Sequence, residues 1–390
     1  MNTVTLPVAY MPLIDAAPLI IAQEMGFAEA EGIALDLIPA PSWSSVRDML
    51  AFGRVDAAHM LSVVPVAMAM GLGGVSTALS AVSVLSINGN VIGVGKPLED
   101  RLRATGFNFG FADPVLAANV LAQVSDGPIV FGVPFPFSMH VELLRYWIRA
   151  TALGPNGVVI RTVPPPLMAK ALEAGDIDAF CVGEPWGSVA VEQGVGALLL
   201  PTASIWSFAP EKVLAIRTDW AETEPDLLGR LMRATWRAGR WLANSDVHAT
   251  ASDLLARKSY LDVSAEWIDR ALSGHLTVTA RGDQRQVERF VEFHHGAASF
   301  PWRSQARWIA RQLQLSHQSA QSADIDAATR VFRSDLHRQH LGVAGCEMPG
   351  ASEKLEGAIR DTTLVAAAGG TLTLLPNRFF DARIFDPELK

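Results

Sequence analysis

Apolar residues in this chain arrive in short runs of strand length separated by proline-rich turns and helical stretches. Thr3 to Ala9 and Ile129 to Val133 are two such runs, followed by Met11-Pro12 in one case and Pro134-Phe135-Pro136 in the other. Each is succeeded by a helix, a second strand (Ala34 to Ile38; Val158 to Val163) and another proline-rich turn. Strands alternating with amphipathic helices predict parallel sheets.

The segment that comes next is written twice. Leu50-x-x-Gly53-x-Val55-Asp56-Ala57 matches Leu172-x-x-Gly175-x-Ile177-Asp178-Ala179. In both, Leu lies on the apolar face of a helix, Gly supplies the left-handed residue that ends a helix without a Cβ penalty, and Val or Ile opens a short strand. Each half therefore reads β-α-β-α-β. Two such lobes make a cleft protein, because open parallel sheets bind ligands beyond the carboxyl ends of their strands, where helix N-termini converge. The repeated context gives Asp56 and Asp178 a structural role.

Residues 1 to about 85 form the first lobe, with Ser86 to Gly95 as its returning strand, and residues from about 127 to 200 form the second. Pro97 to Asp126 is a connector of helical character, and Glu211 to Ile216 is a strand expected to rejoin the first sheet. The expected division is 1–95 with 201–390 for lobe 1 and 96–200 for lobe 2. Pro225 to Ala243 and Ser264 to Leu272 are amphipathic helices, the chain turns polar from Gln312, and Asn377 to Pro387 reads as a packed tail.

Composition narrows the function. With 390 residues, 49% hydrophobic and 18% charged, the chain is globular. Its apolar stretches, such as Val63 to Leu72, are interrupted and fall short of the roughly 20 residues a bilayer requires, so no membrane insertion is expected. A net charge of -8 argues against direct binding of nucleic acid. The first basic residue is Arg47, so the start lacks the basic and apolar regions of a secretory signal. The expected location is the cytoplasm, or the periplasm if a native signal peptide has been removed. Cys181 and Cys346 give neither a disulfide framework nor a metal cluster, and Cys181 reads as an inert core residue. There is no G-x-S-x-G, phosphate-cradling loop or paired histidine motif, so neither catalysis nor a cofactor is expected.

Several motifs carry a resemblance: P-L-I-D-A-A-P-L-I-I-A-Q-E-M-G-F (12 to 27), P-S-W-S-S-V-R-D (41 to 48), D-A-A-H-M-L (56 to 61), His140 with L-L-R-Y-W (143 to 147), P-P-P-L-M (164 to 168), D-A-F-C-V-G-E-P-W (178 to 186) and P-E-K-V (210 to 213). Together they resemble nitrate- and bicarbonate-binding proteins of the NrtA/CmpA type over nearly the whole chain. The resemblance implies an α/β, two-lobed, type II periplasmic-binding-protein-like fold, with two parallel-core sheets and a ligand cleft between them. Within that family the leaderless start points to the cytoplasmic NasS-type nitrate/nitrite sensors, whose partner is a NasT-type RNA-binding antiterminator. The alternative is the solute-binding receptor of an ABC transporter for nitrate, nitrite or bicarbonate.

Carried over by position, the resemblance places the ligand among Trp43, Asn90, His140, Pro166, Val182, Gly183 and Lys212. Lys212 would be the counter-charge, Trp43 and His140 would donate hydrogen bonds, and Pro166, Val182 and Gly183 would shape the walls. Asn90 stands where transporter-type binders tend to have Gln, with Asn88 a competitor for its role. Acidic residues help hold calcium in bicarbonate-type relatives, but Glu184 reads as a salt-bridge or hinge contact rather than a metal ligand.

Overall fold

The computed structural model describes residues 3–154, 157–320, 322–367 and 370–389. In chain order the strands are β1 (Val4–Tyr10), β2 (Ile33–Pro39), β3 (Ala57–Leu61), β4 (Leu79–Asn88), β5 (Asn90–Gly95), β6 (Ile129–Val133), β7 (Val158–Thr162), β8 (Ala179–Gly183), β9 (Gly196–Pro201), β10 (Pro210–Arg217), β11 (His275–Thr277), β12 (Gln284–Gln286), β13 (Val291–Glu292), β14 (Thr363–Ala367) and β15 (Gly370–Leu374). A six-stranded sheet has the order β13-β4-β10-β3-β1-β2, and a five-stranded sheet the order β7-β6-β8-β5-β9.

The sequence repeat is a structural repeat. β1 runs parallel to β2 and β3, and β6 runs parallel to β7 and β8. Gly53 and Gly175 both adopt φ +73°, ending their helices as the pattern requires. The Asp56 N–H donates to the Pro7 carbonyl at 2.9 Å and the Asp178 N–H to the Val130 carbonyl at 2.8 Å, so the two aspartates hold equivalent backbone positions. Asp178 also accepts from the Val130 N–H at 2.9 Å.

The Ser86 to Gly95 run is not one returning strand. Its first part ends β4 in the six-stranded sheet, and Asn90–Gly95 is β5, antiparallel to β8 and β9 in the five-stranded sheet. The chain breaks at Asn88 (φ +57°) and Gly89 (φ +94°), a left-handed Asn-Gly pair in which both residues tolerate positive φ. β10 makes the reciprocal crossing and lies antiparallel between β3 and β4 in the first sheet, as expected. Asn88 ties the two crossings together: its N–H donates to Ala209, its carboxamide N–H donates to the Ser207 carbonyl at 2.8 Å, and its Oδ1 accepts from the Ala209 N–H at 3.3 Å. Asn88 is thereby committed to the crossover.

The C-terminal region packs onto both halves. The Pro225–Leu242 helix lies against the Ala17–Glu24 helix, and the Arg303–Ser316 helix touches the Val63–Ala69 and Met139–Arg149 helices. Phe379 of the expected tail is 3% exposed and stacks 4.8 Å from Trp206, while the Tyr146 hydroxyl donates to Asp381 at 2.9 Å.

Candidate functional site

Two capped helices and the ends of several strands converge where the sheets meet. Ser42 accepts from the Ser45 N–H at 3.2 Å and Ser138 from the Val141 N–H at 3.3 Å, fixing the first turns of the Trp43–Ala51 and Met139–Arg149 helices. Trp43 and His140 stand in those turns, each 1% exposed. Trp43 anchors the apolar stripe completed by Val46, Leu50 and Ala51.

β10 brings Lys212 to the same place. Its side chain is fully buried, with Nζ 2.6 Å from Asp15 Oδ2 and 2.8 Å from Glu211 Oε1. Nζ also lies 5.4 Å from the centre of the Trp43 ring. His59 on β3 faces Asp15, with Nε2 3.0 Å from Oδ1, and accepts from the Met11 N–H at Nδ1. His140 Nδ1 lies 3.4 Å from Glu211 Oε1.

The second sheet closes the group from the other side. Asn90 and Gly183 are directly opposite in the β5/β8 ladder. A Cβ on Gly183 would stand 3.2 Å from Leu13 Cδ2, 3.3 Å from Asn90 Oδ1 and 3.8 Å from Asp15 Oδ2, so its absence lets the Leu13 to Asp15 turn approach. The Ile14 N–H then donates to the Glu184 carbonyl at 3.0 Å, and Trp186 Nε1 donates to the Pro12 carbonyl at 3.1 Å.

Buried polar groups are normally satisfied, yet unpartnered ones collect here. Trp43 Nε1, both ring nitrogens of His140, both ends of the Asn90 carboxamide, Glu211 Oε2 and Ser86 Oγ make no well-formed hydrogen bond. Ser86 pairs with Lys212 across β4 and β10. An ammonium has three N–H groups, of which two here meet Asp15 and Glu211, leaving one to give.

The charges are unequal in kind. Burial opposes ionisation of Asp15, but Lys212 and His59 outweigh it and hold this carboxyl well below the usual range. Burial pushes Glu211 up, only partly offset by Lys212. Lys212 keeps its charge because the two carboxylates overcome its burial. Burial drives His140 well below the ordinary imidazole range, with Lys212 adding to the effect, and lowers His59 against the pull of Asp15. Both imidazoles are therefore neutral at pH 7. Burial raises Glu184 to about 7, although its Oε2 accepts from the Ser188 N–H at 3.1 Å.

Of the residues expected from the sequence, Trp43, Asn90, His140, Gly183 and Lys212 come together. Val182 is adjacent but shares its sheet face with Val91, which packs against Gly187 of the Trp186–Glu192 helix, so only its backbone borders the group. Pro166 stands exposed in the turn Pro165–Leu167, outside the buried group; Pro165 is the buried member of that turn. Asp15, His59, Ser86 and Glu211 were not anticipated as site residues. For two of them the signal was an isolated polar side chain within an apolar run, Asp15 in P-L-I-D-A-A-P and His59 in A-A-H-M-L. Cys181 is fully buried, and burial raises its thiol well above the ordinary value. Among the described residues, no group of three or more His, Cys, Asp or Glu side chains is placed to hold a metal ion.

Two mixed sheets exchanging one strand each, with a buried polar group at their contact, define the periplasmic-binding-protein fold. The NMT1-like family model matches residues 1–256, and the chain belongs to that family. It is 28% identical to the nitrate/nitrite binding protein NrtA of Nostoc sp. PCC 7120, over 99% of this chain and 84% of that protein. It is 33% identical to the nitrate import ATP-binding protein NrtC of Synechocystis sp. PCC 6803, over 88% of this chain; there it spans only 51% of the relative's length. The crystal structure of the periplasmic nitrate-binding protein NrtA from Synechocystis PCC 6803 superposes with a TM-score of 0.82 at 25% identity, covering 99% of this chain and 96% of that one. Among the described residues, no helix is long and apolar enough to cross a membrane.

Proposed function

We propose that this chain is the solute-binding component of an importer and captures nitrate or nitrite in the buried group around Lys212. One observation carries the reading: Trp43 Nε1, the His140 ring and the remaining Lys212 N–H are unpartnered or free to donate at the contact between the two sheets. A small planar anion that only accepts hydrogen bonds suits such donors, and exclusion of water strengthens each contact.

The relatives named for nitrate import support a transport receptor over a sensor that sequesters an antiterminator. On this reading the working compartment is the periplasm and the partner is a permease complex rather than an RNA-binding protein. The role is capture, not catalysis. The sensor differs in its partner rather than its pocket, so binding alone does not separate the two; association with the importer's membrane components does.

Isothermal titration with nitrate, nitrite and bicarbonate, beside Lys212→Ala, tests the proposal. Saturable nitrate or nitrite binding that Lys212→Ala abolishes supports it. Bicarbonate binding alone, or no binding, overturns it.

A further inference from the structure

The buried group holds more negative than positive charge before any ligand arrives. Lys212 is its one ammonium, with Asp15 and Glu211 at 2.6 and 2.8 Å, and every one of these side chains is at most 4% exposed. A monovalent anion placed among Trp43, His140 and Lys212 adds a second uncompensated negative charge away from water, where repulsion is least screened. Nitrate brings no proton, so it adds charge beside the Glu211 carboxylate, which is met by Lys212 and the Asn90 carboxamide, without offering it a donor. The anion therefore needs company.

We propose that the anion enters this site together with one proton from solvent, held by the Glu211–His140 pair. The two side chains already face each other, with His140 Nδ1 3.4 Å from Glu211 Oε1, and neither His140 ring nitrogen makes a well-formed hydrogen bond. Protonation of either adds a donor as well as cancelling a charge: an O–H on Glu211, or a second N–H on His140. Asp15 is the poorer acceptor, because Lys212 and His59 both stabilise its ionised form.

Every charged or titratable group around Glu211 enters the count. Lys212 adjoins it on β10, Asp15 faces it from the Ile14–Ala16 turn, His140 from the Met139–Arg149 helix and Cys181 from β8, with His59 on β3 beyond Asp15. Asn90 on β5 is polar but uncharged. Glu184 lies just past β8, with its Oε2 engaged by the Ser188 N–H. Glu211 and His140 are thus positioning groups that set the charge of the anion accepted, a step that rests on the anion-binding reading above.

The test is calorimetric titration of the full chain with sodium nitrate from pH 6 to pH 9, with a chelator present, in buffers of different ionisation heat. The expected result is uptake of close to one proton at the alkaline end, with Kd rising toward tenfold per pH unit there. Glu211→Gln removes the surplus charge and is expected to bind nitrate with buffer-independent heat and a flat pH profile. The wild-type buffer series decides the question without any variant. Nitrate binding with no proton uptake and constant Kd overturns this inference and leaves the anion site standing. Binding only when a divalent cation is supplied overturns it too, because the metal then balances the charge. No nitrate binding at any pH overturns both.

Discussion

The Ile14 N–H donates to the Glu184 carbonyl at 3.0 Å, joining the turn after β1 to the residue after β8 and so one sheet to the other. Trp186 adds a second stitch, its Nε1 donating to the Pro12 carbonyl at 3.1 Å. Both bonds span the two halves and border the buried group. They should count in the closed form and vanish in an open one, which ties their strength to ligand affinity. Trp186→Phe keeps the ring and removes one bond worth about 1 kcal/mol. Nitrate should then bind about fivefold more weakly, with little change in the folded protein's circular dichroism; unchanged affinity would show that this contact persists when the site opens.

Gly183→Ala tests the close approach directly. Gly183 does not need a left-handed φ, so alanine introduces no backbone strain, but its methyl would meet Leu13 at 3.2 Å and Asn90 at 3.3 Å. We expect a folded protein whose nitrate affinity falls by at least about tenfold, the price of about 1.4 kcal/mol of lost closure. Wild-type affinity in the alanine variant would place the ligand elsewhere.

Trp43→Phe separates binding from folding. The indole N–H is buried without a partner, so removing it relieves a desolvated donor while retaining most of the ring's packing. The variant's unfolding free energy in urea should stay within about 0.5 kcal/mol of wild type, or rise, while nitrate affinity drops by about tenfold or more. A large loss of stability with unchanged affinity would make Trp43 a core residue only.

The contribution of Glu184 to stability should fall as pH rises from about 4.5 toward 7. The Glu184 carboxyl, raised to about 7 from 4.5, holds a proton in the folded state that the unfolded chain has already released. A raised carboxyl contributes stability that is full below pH 4.5 and lost as pH rises toward 7, by up to about 3 kcal/mol. Burial raises Glu142 to about 7 as well, so the two act in the same direction. Glu184→Gln keeps an oxygen for the Ser188 N–H and cannot ionise, so it should gain most over wild type at pH 8 and almost nothing near pH 4.5. Urea unfolding at the two pH values measures this, and an equal difference at both would assign the effect to packing instead.

The repeat was legible because its turns obey local rules: Gly53 and Gly175 take the left-handed region, and a buried β-branched residue, Val55 or Ile177, stands two residues ahead of each following strand, which opens at Ala57 or Ala179 rather than at the β-branched residue itself. Asn88-Gly89 carries a turn signal that was passed over, but that the strands on its two sides join different sheets was hidden, since strand exchange is a property of pairing partners. Lys212 and His140 were reached through the family resemblance, since by residue type alone each reads as an ordinary surface lysine or helix-start histidine. What surrounds them was not legible. Asp15 reaches Lys212 only after the first sheet assembles, so no local pattern announces the ion pair. The triple proline at 164 to 166 marked a turn, but which ring faces inward depends on its phase, and that is Pro165.

The central claim, that the buried group around Lys212 is an anion site, is tested most directly by a crystal structure of the protein at saturating nitrate. The account predicts a nitrate ion with oxygens about 3 Å from Trp43 Nε1, a His140 ring nitrogen and Lys212 Nζ, beneath an intact Ile14–Glu184 contact. Nitrate bound only at the surface, with Lys212 still enclosed by Asp15 and Glu211 alone, would contradict it.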